Sequence, residues 1–121
     1  GSEMCIRDSR ITYTNWGKTY DLDLVRATYT NNGNLAVVAL VAGTHERYGD
    51  VTVNIEDLPN HLACIDTNNM PGIFEILLSS GLAQDTCYTM ESGYCKYPIA
   101  SFDLAKLPDY EEYLNKAGCK E

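Results

Sequence analysis

The chain has 121 residues and a formal net charge of −8, from 17 acidic and 9 basic residues. This length favours a single domain with one modest core. The acidic balance, without a cluster of Lys or Arg, disfavours direct binding to a nucleic acid backbone. The longest apolar run, Leu35–Ala42, is far shorter than the roughly 20 residues that a membrane helix needs.

The first nine residues, GSEMCIRDS, can be read back into the codons of a transposase-based sequencing adapter, so we exclude them from fold reasoning. The alternative is a protease-site scar, Gly1-Ser2, on a natural N-terminus. The adapter interpretation indicates a metagenomic gene whose natural start lies upstream of Arg10 or near Ile11. Without these residues the chain is a single domain over residues 10–121, with 15 acidic and 8 basic residues and a net charge of −7, and the strands and helices predicted below give it an α+β fold.

Apolar and polar alternation predicts a series of short strands. In chain order they are Ile11–Thr14, Tyr20–Thr30, Leu35–Ala42, Asp50–Glu56, Leu62–Asp66, Thr86–Met90 and Tyr94–Phe102. The segment Asn31–Asn34 tolerates positive φ and predicts a hairpin between the second and third strands. The polar segment Gly43–Gly49 then leads into the fourth strand, so the simplest topology is an antiparallel meander.

Two of these strands carry more detailed expectations. In the second, the apolar phase shifts from Leu24 to Val25, as a β-bulge would produce. In the fourth, strict alternation places Val51, Val53 and Ile55 on one buried face.

Two helices are also predicted. The first begins at Pro71 and ends at Gly81, and it is apolar nearly all round, which indicates a central helix packed on the sheet. The second, Asp109–Ala117, is amphipathic, with Gly118 as its cap. Its apolar side consists of Tyr110, Tyr113, Leu114 and Ala117.

The sequence offers little for catalysis or metal binding. Cys64, Cys87, Cys95 and Cys119 form no CxxC pair, and neither His45 nor His61 has a spacing typical of a metal site. A nucleophilic pair of His61 and Cys64 would require a helix where the pattern predicts a strand. We therefore expect no catalytic residues, no metal and no cofactor, and reduced thiols in a bacterial cytoplasm.

The turn formed by Asp66, Thr67, Asn68 and Asn69 precedes the first helix, where free N–H groups could hold an anion or a polar ligand. The alternative is that Asn68 or Asn69 caps the helix while Asp66 tightens the turn.

Other candidates would bind a protein. Tyr48, Tyr94 and Tyr97 lie near predicted strand ends and could form an adaptable binding surface, although tyrosines of small sheets are often half-buried structural residues. Three aspartates are candidates for contact with a basic partner, namely Asp21, Asp23 and Asp50.

Four short motifs together resemble an uncharacterised domain family. They are Val51–Asn54, Ile65–Asn69, Gly81–Ala83 and Ser92–Ile99. The resemblance extends from Ile11 to Phe102 and implies an accessory gene of plasmids, conjugative elements or phages of gut-dwelling Gram-positive bacteria. It implies no catalytic residues.

Mobile elements carry small acidic proteins that block host defence. The leading hypothesis is therefore a stoichiometric inhibitor of a bacterial immune system that binds a protein, such as a nucleic-acid-binding effector, as anti-CRISPR proteins do. One alternative is a sponge that sequesters a nucleotide immune signal between subunits of a homo-oligomer. Another is a non-catalytic partner in mobile-element maintenance.

Overall fold

The computed structural model describes residues 10–59 and 61–119, so the predicted adapter-derived segment lies outside the described residues. Eight strands are formed within them: β1 (Arg10–Asn15), β2 (Lys18–Thr28), β3 (Leu35–Val41), β4 (Arg47–Asp50), β5 (Thr52–Val53), β6 (Leu62–Ile65), β7 (Ala83–Ser92) and β8 (Cys95–Phe102). The helices are α1 (Ile73–Ser79) and α2 (Tyr110–Cys119), and a 3-10 turn spans Leu104–Lys106. Antiparallel strands with two short helices confirm the predicted α+β class.

The strands form two four-stranded sheets. The first has the order β1-β2-β3-β4 and the second has the order β5-β6-β8-β7. Short turns connect the consecutive strands of the first sheet, and the predicted hairpin of β2 and β3 is confirmed. The predicted meander describes only this sheet, because in the second sheet β8 lies between β6 and β7.

The chain changes sheets at Val51, which is fully buried. The Val51 N–H donates to the carbonyl of Val37 at 2.8 Å, and the Val51 carbonyl accepts from the N–H of Asp66 at 2.8 Å. Thr52 is also buried, whereas Ile55 is only half-buried. The prediction of one continuous strand with alternate residues buried is therefore wrong, because the segment belongs to two sheets.

The predicted bulge in β2 is also wrong. β2 pairs with β3 without a shift in register from Leu22, opposite Val41, to Thr28, opposite Leu35. Leu22 and Leu24 face the main core, whereas Val25 belongs to a second, smaller core. The apolar phase changes because both faces of the strand are covered, one by the second sheet and α1 and the other by α2.

Helix α1 begins at Ile73 rather than at Pro71, after Gly72 in the left-handed conformation at φ 82°. Its buried residues are Ile73 and Leu77, and the half-buried Phe74 and Ile76 also pack against the main core. One side of the helix covers the core, so it is not the central helix that was predicted. Gly81, at φ 81°, follows its last turn, in agreement with the predicted stop.

Helix α2 begins after Asp109, whose Oδ2 accepts hydrogen bonds from the N–H groups of Glu111 at 3.1 Å and Glu112 at 3.4 Å. Tyr113 is buried, but Leu114 is exposed, contrary to the prediction. The helix continues through the predicted cap to Cys119. The predicted contact of Ala117 lies outside the residues whose side chains are described.

Tyr13 is a buried titratable side chain of the main core, and its hydroxyl donates to the carbonyl of Pro71 at 2.9 Å. Burial, with a further contribution from Tyr48, raises the pKa of Tyr13 to about 12. An unfolded tyrosine loses its proton at about pH 10. Between these two pH values the unfolded chain therefore binds fewer protons than the folded chain, and stability falls as the pH rises.

We expect Tyr13→Phe to reduce the dependence of the free energy of unfolding on pH over this window, because it removes one of the groups that titrates differently in the two states. Urea denaturation between about pH 9 and about pH 12 measures this slope. Tyr94→Phe is the control, because Tyr94 is fully exposed. Equal slopes for Tyr13→Phe and the unmodified protein would contradict the prediction.

Candidate functional site

One cleft, of about 480 Å³, brings together segments that lie far apart in the sequence. It is formed by the turn between β1 and β2, by β4, and by the turn that precedes α1. We call it the Trp16 cleft, and its lining residues are Asn15, Trp16, Tyr48, Gly49, Asp50, Asp66, Asn69 and Met70. Half of these were candidates from the sequence: Tyr48, Asp50, Asp66 and Asn69.

Trp16 is the residue that sequence reasoning missed, since Trp16-Gly17 after the strand Ile11–Thr14 indicates only a turn. It is 91% exposed and has φ 55°, and Gly17 follows at φ 77°. A bulky residue in the left-handed region is strained by about 1 to 2 kcal/mol. Hairpin turns with two positive φ values usually use Asn-Gly or Asp-Gly. A Trp in the first of these two positions is unusual, and this is the feature of the sequence that could have identified Trp16 as a candidate.

Tyr48 forms an aromatic wall of the cleft. Its ring centroid lies 4.9 Å from that of Tyr20 and 5.9 Å from that of Tyr13, in tilted and edge-on arrangements. These contacts join the exposed surface to the main core, because Tyr13 is fully buried. The half-buried Tyr48 ring is thereby held in one orientation beside the cleft.

The turn before α1 contributes a carboxylate to the cleft. Asp66 is 4% exposed; its Oδ1 accepts from the N–H of Asn69 at 3.2 Å and its Oδ2 from the side-chain amide of Asn69 at 2.8 Å. Asp66 therefore occupies the position that the predicted anion would take and tightens the turn. Thr67 is half-buried and Asn68 is exposed, and Gly72 rather than Asn68 or Asn69 is the N-cap of α1.

Asp21 and Asp50 are accessible. Asp50 forms an ion pair with Arg47, and its side chain is 42% exposed. Asp21 is exposed on the outer face of the first sheet, where it accepts a hydrogen bond from Thr12 at 3.2 Å. Both remain candidates for contact with a partner.

Asp23, in contrast, is fully buried. Arg10 donates to its two oxygens at 2.7 and 3.0 Å, and the hydroxyl of Tyr113 donates to its Oδ2 at 2.7 Å. Burial, the hydrogen bond to Asp23 and the charge of Asp23 raise the pKa of Tyr113. Asp23 therefore attaches α2 to the first sheet and does not present its charge to a partner.

The hairpin of β7 and β8 carries the remaining candidates. Tyr94 is fully exposed at its turn, and Tyr97 is half-buried opposite Met90. Neither lines the Trp16 cleft. Cys64 lies on β6, which pairs with β8 of this hairpin, and its sulfur is 3.7 Å from that of Met90. Burial raises the pKa of its thiol, which disfavours a thiolate nucleophile.

The part of the chain that the structure describes contains no group of three or more His, Cys, Asp or Glu side chains that could hold a metal ion. Neither of its helices has the length and apolar character needed to cross a membrane. The functional groups that line the cleft are mainly aromatic rings, amides and carboxylates.

Fold and cleft define a small acidic α+β domain with an exposed tryptophan over a polar and aromatic cleft. The sequence profile of a family described as "Domain of unknown function (DUF4313)" matches residues 22–119, and the chain belongs to this family. The resemblance to an uncharacterised domain family is thus confirmed, and the match continues through α2. No curated protein and no solved structure matches the chain.

Proposed function

We propose that this protein is a non-catalytic binding domain that inhibits a bacterial immune system by occupying one of its protein components. The observation that carries the proposal is Trp16, which is exposed and strained on a short turn above a cleft. Tryptophan is among the residues most enriched at the energetic centres of protein interfaces. Neither the strain nor the exposed ring contributes to packing of the core, so both are consistent with selection for binding.

Charge supports a basic partner. The chain carries a net charge of −8, and Asp21 and Asp50 are accessible. Complementary charge speeds association with a basic surface and favours it over acidic ones. A nucleic-acid-binding effector has such a surface, and the proposed setting is the bacterial cytoplasm during entry of a phage, plasmid or conjugative element.

The test is phage plating efficiency on bacteria that carry a panel of defence systems, with and without residues 10–121 of this protein. We expect plaquing to be restored against one system, and Trp16→Ala to abolish this effect. Tyr94→Ala is the matched control, because it removes an equally exposed aromatic side chain outside the cleft. Unchanged plaquing with soluble protein present would contradict the proposal and favour a role in element maintenance.

A second candidate function is sequestration of a nucleotide signal. The cleft has the volume of a small-ligand site, and it combines the rings of Trp16 and Tyr48 with the amides of Asn15 and Asn69. We expect a cyclic dinucleotide to raise the thermal unfolding midpoint in that case, and Asn69→Ala to abolish the shift. A panel of cyclic nucleotides that produces no shift would eliminate this candidate.

A further inference from the structure

The Trp16 cleft has the charge of a cation-binding site. Two carboxylates line it, those of Asp50 and Asp66, and none of its described lining residues is Lys or Arg. Arg47 pairs with Oδ1 of Asp50, so Oδ2 of Asp50 can accept a hydrogen bond from another donor. Asp66 is held in place by Asn69 and has acceptor capacity left, because an ionised carboxylate offers about four lone-pair positions.

The effect of these two carboxylates is visible at a neighbouring side chain. Burial is the main cause that raises the pKa of Tyr29, and its hydrogen bond with Thr52 acts in the opposite direction. The negative charges of Asp50 and Asp66 raise the pKa of Tyr29 further, and the positive charge of Arg47 lowers it. The two carboxylates therefore act on the same region of the protein, where Arg47 offsets part of their charge.

The aromatic side chains of the cleft also favour a cation. The π face of a tryptophan attracts a cation more strongly than that of any other side chain, and arginine is the commonest cation in such pairs. Trp16 offers its ring without competition from core packing, since it is 91% exposed. Tyr48 is fixed against Tyr20 and supplies a second ring.

We propose that the Trp16 cleft binds the guanidinium group of an arginine side chain presented by the partner protein. The guanidinium stacks on Trp16 and donates to Asp50, while Asp66 contributes negative charge from below. Arginine is favoured over lysine because its planar group both stacks on a ring and donates two parallel hydrogen bonds to a carboxylate. The inference rests on the proposed function, for which it names the binding surface and the group recognised.

A nucleotide is the competing occupant of the same cleft. Its base would stack on Trp16, but its phosphates would enter a site lined by two carboxylates in a chain of net charge −8. Like charges at short range disfavour such a complex. The observations therefore favour the cation.

The chain contains a single tryptophan and nine tyrosines, so fluorescence excited at a wavelength that tryptophan absorbs and tyrosine does not reports on this site. The experiment titrates residues 10–121 with the blocked peptide acetyl-Gly-Arg-Gly-Arg-Gly-amide at low ionic strength. Matched peptides carry lysine or citrulline in place of arginine, and citrulline keeps the shape of arginine without its charge. We expect a saturable change with the arginine peptide, weaker binding of the lysine peptide and no saturable change with the citrulline peptide.

Two variants test the named residues. Asp50→Asn is expected to weaken binding of the arginine peptide about tenfold, the effect of losing one hydrogen bond to a charged group. Glu112→Gln changes the net charge equally at an exposed position of α2 outside the cleft, and it is expected to change the affinity less than about twofold. Trp16→Ala, followed by calorimetry, is expected to abolish binding, whereas Tyr94→Ala is expected to retain it. Circular dichroism melting of each variant confirms that it is folded.

Three results would overturn the inference: equal responses to arginine and citrulline, no response to any peptide, or saturable quenching by a cyclic dinucleotide instead. The plating assay separates this inference from the proposed function. If the protein restores plaquing and Trp16→Ala and Asp50→Asn do so equally, the function holds and the site is wrong. If the arginine peptide binds as expected but plaquing is not restored, the site holds and the proposed function is wrong.

Discussion

Tyr113→Ala is expected to lower the free energy of unfolding by about 3 to 5 kcal/mol, the range found when a buried aromatic side chain is removed. Tyr113 is 1% exposed and packs against Val25, Val38 and Leu40 in the smaller core. Its hydroxyl also donates to Asp23. The substitution therefore removes both the packing and the hydrogen bond that hold α2 on the first sheet. Urea denaturation followed by circular dichroism measures the loss.

Two controls divide this effect into its parts. Tyr113→Phe removes only the hydroxyl and leaves the ring, so about 1 to 3 kcal/mol is expected. Tyr88→Ala removes an exposed tyrosine from β7 and is expected to change stability by less than about 0.5 kcal/mol. If Tyr113→Ala costs no more than Tyr88→Ala, the helix does not contribute to the folded domain as described.

Asp23→Ala is the second substitution with a large expected effect, a loss of about 1 to 3 kcal/mol, because it leaves the buried hydroxyl of Tyr113 without its acceptor, whereas the Arg10 side chain is 37% exposed and can be hydrated. Arg10 and the hydroxyl of Tyr113 both lose their acceptor. Tyr113 is only 1% exposed, so water has little access to its hydroxyl to replace this hydrogen bond. Thermal and urea unfolding of the variant measure the loss.

Asp21→Ala is the matched control, since it removes a carboxylate from the same strand two residues away. Asp21 is exposed, and we expect its removal to change stability by less than about 0.5 kcal/mol. Equal stability of the two variants would contradict the buried network. The comparison also decides how charge variants are used in binding assays, because a loss of activity in Asp23→Ala is expected to reflect unfolding rather than a lost contact.

The fold could be predicted where local signals determine it. The hairpin of β2 and β3 follows from alternation and from Asn31–Asn34, and these act over a few residues. The change of sheet at Val51 could not be predicted in this way, because alternation reports that a strand is half-buried and not which sheet it joins. That choice depends on hydrogen bonds to Val37 and Asp66, both more than ten residues away.

The candidate site, like the fold, could be predicted only as far as local sequence determines it. Residue type identified Tyr48, Asp50 and Asp66 as candidates one at a time, but their meeting in one cleft depends on tertiary structure. Asp23 is a candidate for contact with a basic partner because of its charge, and its alternation with Leu22 and Leu24 is typical of an exposed residue. It is instead covered by Tyr113, which lies 90 positions later in the chain.

The attachment of α2 also has a consequence for the order of events during synthesis on the ribosome. The chain completes β1, β2 and β3 at Val41, and α2 begins only at Tyr110. Until α2 has emerged, Val25, Val38 and Leu40 have no cover from Tyr113, and Asp23 lacks one of its hydrogen-bond donors. A nascent chain that stalls before Tyr110 therefore presents an apolar strip and an incompletely neutralised carboxylate to chaperones and to neighbouring chains.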